Sequence, residues 1–397
     1  MAQPVCCVEQ EDTFRREIKL GKQDVIDAVR GQPTSRAPWV PYVGIHAARL
    51  IGEPADRYLQ DSHLIAKGVL HAAMRYKADG IPLLYDLSIE AMSMDCGYKW
   101  QTHCPPTITE HPLENECLSE SDVRIPGPAD GRWPGVIAAG KKIRERLGDV
   151  ALYGVVTGPL VLALLLRGIS IYKDLYRNKA VAKEIIDFCG QVAAESARTY
   201  AEDIGCDVIA IADPLASQLR PHAFREFVKP AVQPVIQAVR TAGKVSTFFV
   251  CGNATTILEE VAQVGTDGFS VDEQVNLTYA RDVALQFGVG FAGNLSVCTA
   301  VVPGNVSPRE DAIRTLSAGA TTGYILATAT DMPYDVPEEY VDEVLKAKDW
   351  FYRNYRQYPR RKEEEGGKEC SLLKPSRRCA GSAGSRSAVS RVNIPRW

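Results

Sequence analysis

The sequence predicts an α/β protein folded as a (β/α)8 TIM barrel, and three observations carry the prediction. Short apolar runs rich in β-branched and aromatic residues alternate with helix-length amphipathic segments along most of the chain. That alternation demands a parallel sheet with crossover helices. Each run stops abruptly on a polar or small residue, as buried parallel strands do where they reach the mouth of an enzyme. About eight such units can be counted, and closure into a barrel is the simplest way to satisfy them. With 397 residues, 45% of them hydrophobic and 24% charged, the chain can bury a core of that size.

Residues 1–34 read as a charged helical lead-in ending in the turn-rich GQPTSRAP. The barrel is expected over residues 35–358. Residues 39–43 form a first strand, 55–77 a helix, and 80–85 (GIPLLY) a second strand closed by Asp86. A helix around 88–94 precedes a Pro-rich excursion to about residue 131, long enough to be a cap or a partner surface. After a helix at 135–147 the alternation is regular. ALYGVV leads to Thr157, DVIAIA to Asp213, KVSTFFV to Cys251 and Asn253, DGFSV to Asp272, GVGFA to Asn294, and YILA to Thr330. Residues 359–397 are basic and Ser/Gly/Arg-rich without apolar period, the composition of a disordered tail.

The net charge of -3 offers no basic field for nucleic acid or an anionic membrane. No apolar stretch is long enough to span a bilayer, the N-terminus lacks a signal-like apolar core, and the cytoplasm is the expected compartment. The eleven cysteines are scattered and form no CxxC, so they read as free thiols. A small molecule or another protein is the expected partner, with homo-oligomerisation left open.

In a barrel the residues following the strands converge on one face. Here they are His46, Asp86, Thr157, Asp213, Cys251, Asn253, Asp272, Asn294 and Thr330. Asp and Asn after a strand also serve as helix caps and turn residues, so any single one is ambiguous. As a set they favour a site. Asp86, Asp213 and Asp272 are the expected catalytic carboxylates, and His46, Arg49, Asn253, Asn294 and Thr330 the expected substrate contacts.

The segments GIHAARL, YDLSIEA, VTGPLVLA, ADPLASQLRP, FFVCGNAT, SVDEQVNL, GNLS and YILATATDMPYDVP, in this order, resemble the uroporphyrinogen decarboxylase superfamily over residues 35–355. The likeness is nearest to its branch of methylcobamide-dependent methyltransferases, which work with corrinoid proteins. The resemblance implies a TIM barrel and a corrinoid supplied by a partner protein. Members that methylate a thiol hold zinc with a His-x-Cys pair and a later Cys, which lowers the thiol pKa. This chain reads Phe249, Val250, Cys251, and the later position falls at Thr330. Cys251 is therefore a weak metal candidate and zinc is not expected; Cys298, His103, Cys104 and Cys117 have no spacing that would supply it.

The decarboxylase pattern is also incomplete. Asp86 matches its acid, but Arg49 is the one arginine kept, and Leu165 and Thr330 stand where a tyrosine and a histidine belong. The resulting expectation is a methyltransferase moving a methyl group between a corrinoid protein and a small donor, or an acceptor such as tetrahydrofolate. A uroporphyrinogen decarboxylase-type carboxy-lyase and a non-catalytic ligand-binding barrel are the alternatives. Residues 98–132 and 298–308 are the expected partner surface.

Overall fold

The computed structural model describes residues 21–297, 307–319 and 322–355. Eight parallel strands form the barrel: β1 (Trp39–Val40), β2 (Gly80–Pro82), β3 (Ala151–Thr157), β4 (Val208–Ala212), β5 (Val245–Val250), β6 (Gly268–Val271), β7 (Gly290–Leu295) and β8 (Tyr324–Thr328). Neighbours pair in chain order from β2 to β8, and β8 returns to pair with β1. Between β1 and β2 the ring is drawn together by Asp79, whose N–H donates to Trp39 O at 2.9 Å while its carboxylate accepts the Trp39 N–H at 2.8 Å.

Because successive residues of a strand face opposite ways, each strand feeds two cores. In β5, Phe248 enters the layer between sheet and helices, and Phe249 enters the lumen. In β3, Leu152 and Val156 face outward, while Tyr153 and Val155 face inward. Burial on both faces explains why these strands read as nearly continuous apolar runs.

The base of the lumen is filled by the helix Lys22–Val29, whose Val25, Ala28 and Val29 belong to the luminal core. Those residues lie within the segment expected from sequence as a lead-in. Gly290 accommodates them: a Cβ there would come within 2.2 Å of Ala28 O and 2.4 Å of Val29 O. The lead-in's first twenty residues, the tail at 359–397 and residues 298–306 of the expected partner surface lie outside the described residues.

Other differences have local causes. The helix expected over 55–77 is two, Ala55–Gln60 and Ser62–Arg75, because Asp61 leaves helical geometry and accepts the His63 and Leu64 N–H groups as an N-cap. The excursion after β2 contains an antiparallel ribbon of Tyr98–Lys99 with Thr107–Ile108. It is fastened to the helix Pro159–Arg167 by Arg167, which donates to the carbonyls of Leu113 and Glu116 and pairs with Asp174 at 3.0 Å. His111 Nδ1 lies 2.7 Å from Leu165 O in the same seam. Among the described residues no helix is long and apolar enough to cross a membrane.

Candidate active site at the barrel mouth

The floor of the mouth is aromatic. The Phe249 ring meets Tyr42 edge-on with centroids 5.1 Å apart and Tyr85 with centroids 5.5 Å apart. Above it, the ends of β5 and β8 reach towards each other although three steps apart in the sheet order. The Cys251 thiol donates to the Thr330 hydroxyl at 3.7 Å, and that hydroxyl donates to Asp331 Oδ1 at 3.2 Å. The other carboxylate oxygen, Oδ2, lies against Gly44, where a Cβ would stand 3.2 Å from it and 3.4 Å from the Tyr85 Cβ. Gly44 has φ +41°, which suits a residue without a side chain in this closely packed corner. Burial at the rim pushes the Asp331 carboxyl up to about 6; the Thr330 hydroxyl opposes the shift and the Asp86 charge adds to it.

Asp86 is held on both sides. Oδ1 accepts the Ser88 N–H at 3.0 Å and the Ser88 hydroxyl at 2.5 Å, and Oδ2 lies 2.5 Å from Arg132 Nη1. The Asp86 side chain has no exposed area, and that of Arg132 is 13% exposed. Arg132 also donates to Leu59 O at 2.7 Å and lies over the Trp100 ring, 5.2 Å from its centroid.

Asp213 and Asp272 turn towards neighbouring backbone. Asp213 Oδ2 accepts the Leu160 N–H at 2.9 Å, capping the helix that follows β3, while its buried Oδ1 has no hydrogen-bond partner. Burial pushes this carboxyl up to about 7. Gly158 is required beside it, since a Cβ there would fall 2.3 Å from the Asp213 Cβ. Asp272 Oδ1 accepts the Gln274 N–H at 2.9 Å. Asn294 donates its amide to Asp272 O and Val275 O, which ties the ends of β6 and β7 together.

The remaining expected contacts are spread out. Asn253 is exposed and accepts the Thr255 N–H at 3.2 Å in a turn. His46 is fully buried, with Nε2 2.6 Å from the Tyr76 hydroxyl and Nδ1 3.2 Å from Tyr334 O. Burial pushes it down to about 4, so the ring is neutral at pH 7. Arg49 pairs on the surface with Asp335 at 3.1 Å. Thr157 gives its N–H and hydroxyl to the buried carboxylate of Glu90.

Thus, of the residues named from sequence, Thr330 and Cys251 are in contact across the mouth, with Asp86 near enough for its charge to act on the adjoining Asp331. Asp331, Tyr85, Glu90 and Arg132 are additions. Asp331 could have been found by taking the residue after each strand-end residue as well; Arg132 comes from the excursion and carries no local signal.

The described residues of this mouth do not make a set that fits zinc. Among the described residues no three His, Cys, Asp or Glu side chains gather as a metal-binding set. Next to Cys251, the position that could offer an imidazole holds the Phe249 ring, locked between two tyrosines, and Thr330 offers only a hydroxyl. His103 is stacked on Tyr334 at 4.5 Å, Cys104 and Cys117 are exposed, and Cys298 lies outside the described residues.

Residues 20–349 match the family described as uroporphyrinogen decarboxylase (URO-D). The chain belongs to the uroporphyrinogen decarboxylase family. Within it the chain is 26% identical over 345 residues to the methylcobamide:CoM methyltransferase MtaA of Methanosarcina barkeri, covering 83% of this chain and 98% of that one. It is 24% identical over 335 residues to the uroporphyrinogen decarboxylase of Thermus thermophilus, covering 81% and 96%. A solved methyltransferase from Methanosarcina mazei superposes with a TM-score of 0.76 at 27% identity, over 84% of this chain and 99% of that one. These relatives bear out the family and barrel read from sequence, and the chain stands as an enzyme on the methyltransferase side of the family.

Proposed function

We propose that this chain moves a methyl group between a corrinoid carried by a partner protein and a small molecule bound at the barrel mouth, with a nitrogen acceptor of the tetrahydrofolate type as the representative case. The observation that carries the reading is the relay from Cys251 through Thr330 to Asp331, lying over a floor in which Phe249 offers no metal-donor atom. A thiol must be deprotonated before it can attack, and that is what a bound zinc accomplishes. A weakly basic amine has its lone pair free near neutral pH and needs orientation and a place to put its proton. A carboxyl at the rim meets that need, and proximity to the methyl-corrinoid co-substrate supplies most of the remaining acceleration.

Decarboxylation of a porphyrinogen fits less well. That reading needs Asp86 free to accept pyrrole N–H groups, and both of its oxygens are engaged by Ser88 and Arg132.

The test is spectroscopic. Purified protein with methylcob(III)alamin is expected to lose the methyl-corrin absorbance when tetrahydrofolate is added, to respond far less to thiols, and to keep its rate after exhaustive treatment with a zinc chelator. An unchanged spectrum with every acceptor, and with methylated amine or ether donors added to cob(I)alamin, would sink the proposal. Formation of coproporphyrinogen from uroporphyrinogen would establish the decarboxylase instead.

A further inference from the structure

We infer that Asp331 is the catalytic proton carrier of this mouth and that the small substrate is a weakly basic secondary amine of the aryl-amine class, which includes the reduced pterins. The inference rests on the methyl-transfer reading and goes beyond it by assigning the residue and the chemical class.

The assignment follows from how each carboxylate of the mouth is held and how deeply it is buried. Asp86 is closed by Arg132 and Ser88; Asp213 holds the start of the helix after β3 through Oδ2, and its unpaired Oδ1 is fully buried; Asp272, also buried, is turned to Gln274. Asp331 alone among these four is not fully buried, and its Oδ2 is turned to Gly44. Oδ1 is fixed by Thr330, itself in contact with Cys251 from the opposite side of the barrel, so Oδ2 is held in one direction. The groups around it are Gly44 from the end of β1, Tyr85 and Asp86 from the end of β2, Cys251 from the end of β5 and Thr330 beside it. Among these described residues none is a cation, and Arg132, which lies next to Asp86, is paired to it. An anionic substrate group would find no free partner among them, whereas an N–H would find an acceptor. Tyr85, braced from below by the fully buried Phe249, is the aromatic side chain at this corner and offers apolar contact to a ring attached to that nitrogen.

The nitrogen lone pair forms the N–CH3 bond, the Co–CH3 bond breaks with its electron pair remaining on cobalt, and the N–H proton passes to Asp331 Oδ2. In reverse, the protonated Asp331 returns the proton to the nitrogen of an N-methyl donor as the methyl group leaves. With the carboxyl near 6, both protonation states are accessible close to neutrality. The sign of the pH dependence therefore reports direction. Methylation of the amine needs the carboxylate, so its rate rises with pH through about 6; demethylation needs the acid, and its rate falls through the same point.

Tetrahydrofolate and N-methylaniline are the probes. For methyl transfer from methylcob(III)alamin, Asp331→Asn is expected to lower kcat by about 10²–10⁴-fold and remove the limb near pH 6, with KM for the methyl-corrin little changed. Asp331→Glu is expected to restore part of the rate. Glu273→Gln is the control, because Glu273 is also pushed up, to about 7, by burial and by Asp272 and Asp311, yet belongs to another part of the rim. Calorimetric binding of each probe without corrinoid is the independent arm, with Asp331→Asn expected to weaken it at least about tenfold, the scale of one hydrogen bond to a charged group. Wild-type rate and binding retained in Asp331→Asn, with a native-like melting temperature, would overturn the inference, as would loss of the limb in Glu273→Gln. Intact binding that Asp331→Asn abolishes, with no corrin turnover in the wild type, would instead remove the methyl-transfer reading and leave the amine site standing.

Discussion

Arg132→Met is expected to cost about 3–5 kcal/mol of stability, because it leaves the Asp86 carboxylate buried without its cation. Methionine keeps an apolar stem over Trp100, so packing changes little and the loss reports the charge. Ser88 still donates twice to Oδ1, but Oδ2 loses its partner at 2.5 Å, and Leu59 O loses its donor. The companion variant is Asp86→Asn, and the two together should be markedly more stable than the sum of their separate effects predicts, since the double variant buries no net charge. Urea unfolding followed by circular dichroism measures all four corners of the cycle. A single Arg132→Met loss below about 1 kcal/mol, the range of exposed pairs, would mean that the ion pair is solvated and that Asp86 remains available to a ligand.

The same pair shows what a linear sequence conceals. Residues 98–132 are Pro-rich and without period, which marks an excursion and gives no direction for any side chain. Only the folded chain brings Arg132 back over the end of β2. The barrel itself is legible for a physical reason: parallel strands buried on both faces must be apolar throughout, and the polar residue that ends each run marks the mouth. Where the pattern is cut short, as by Pro41 after β1 and Pro82 in β2, the strands are shorter than their apolar runs. The helix Lys22–Val29 was hidden differently, since a short segment with three inward residues looks the same whether it plugs a lumen or leads into a domain.

At the site, residue type was legible and orientation was not. Asp213, Asp272 and Asn253 follow their strands as a catalytic set would, yet their oxygens accept backbone N–H groups at 2.9, 2.9 and 3.2 Å. A cap and a catalytic carboxylate draw on the same chemistry, and only the direction of the side chain separates them. Thr330 drew attention because it stands at a family ligand position. Its neighbour Asp331 carries the ionisable group.

Phe249→Ala is expected to have an effect as large as the loss of Arg132, about 3–5 kcal/mol, through a cavity in the middle of the lumen. The residue is fully buried, and its ring is the common neighbour of Tyr42 and Tyr85, with interplanar angles of 90° and 72°. Each edge-to-face pair adds about 0.5–1.5 kcal/mol beyond the area buried. Closed strands on every side cannot collapse to fill the space, so little of the cost is recovered by relaxation. The consequence reaches the mouth as well, because Tyr85 lies beneath Gly44 and Asp331 and is braced by this ring. Phe249→Leu, which retains most of the apolar bulk, should lose less stability and keep Tyr85 in place. Thermal melts rank the two variants, and the binding of N-methylaniline reports whether the floor holds its shape. Equal binding by Phe249→Ala and the wild type would show that the ring stabilises the barrel without shaping the site.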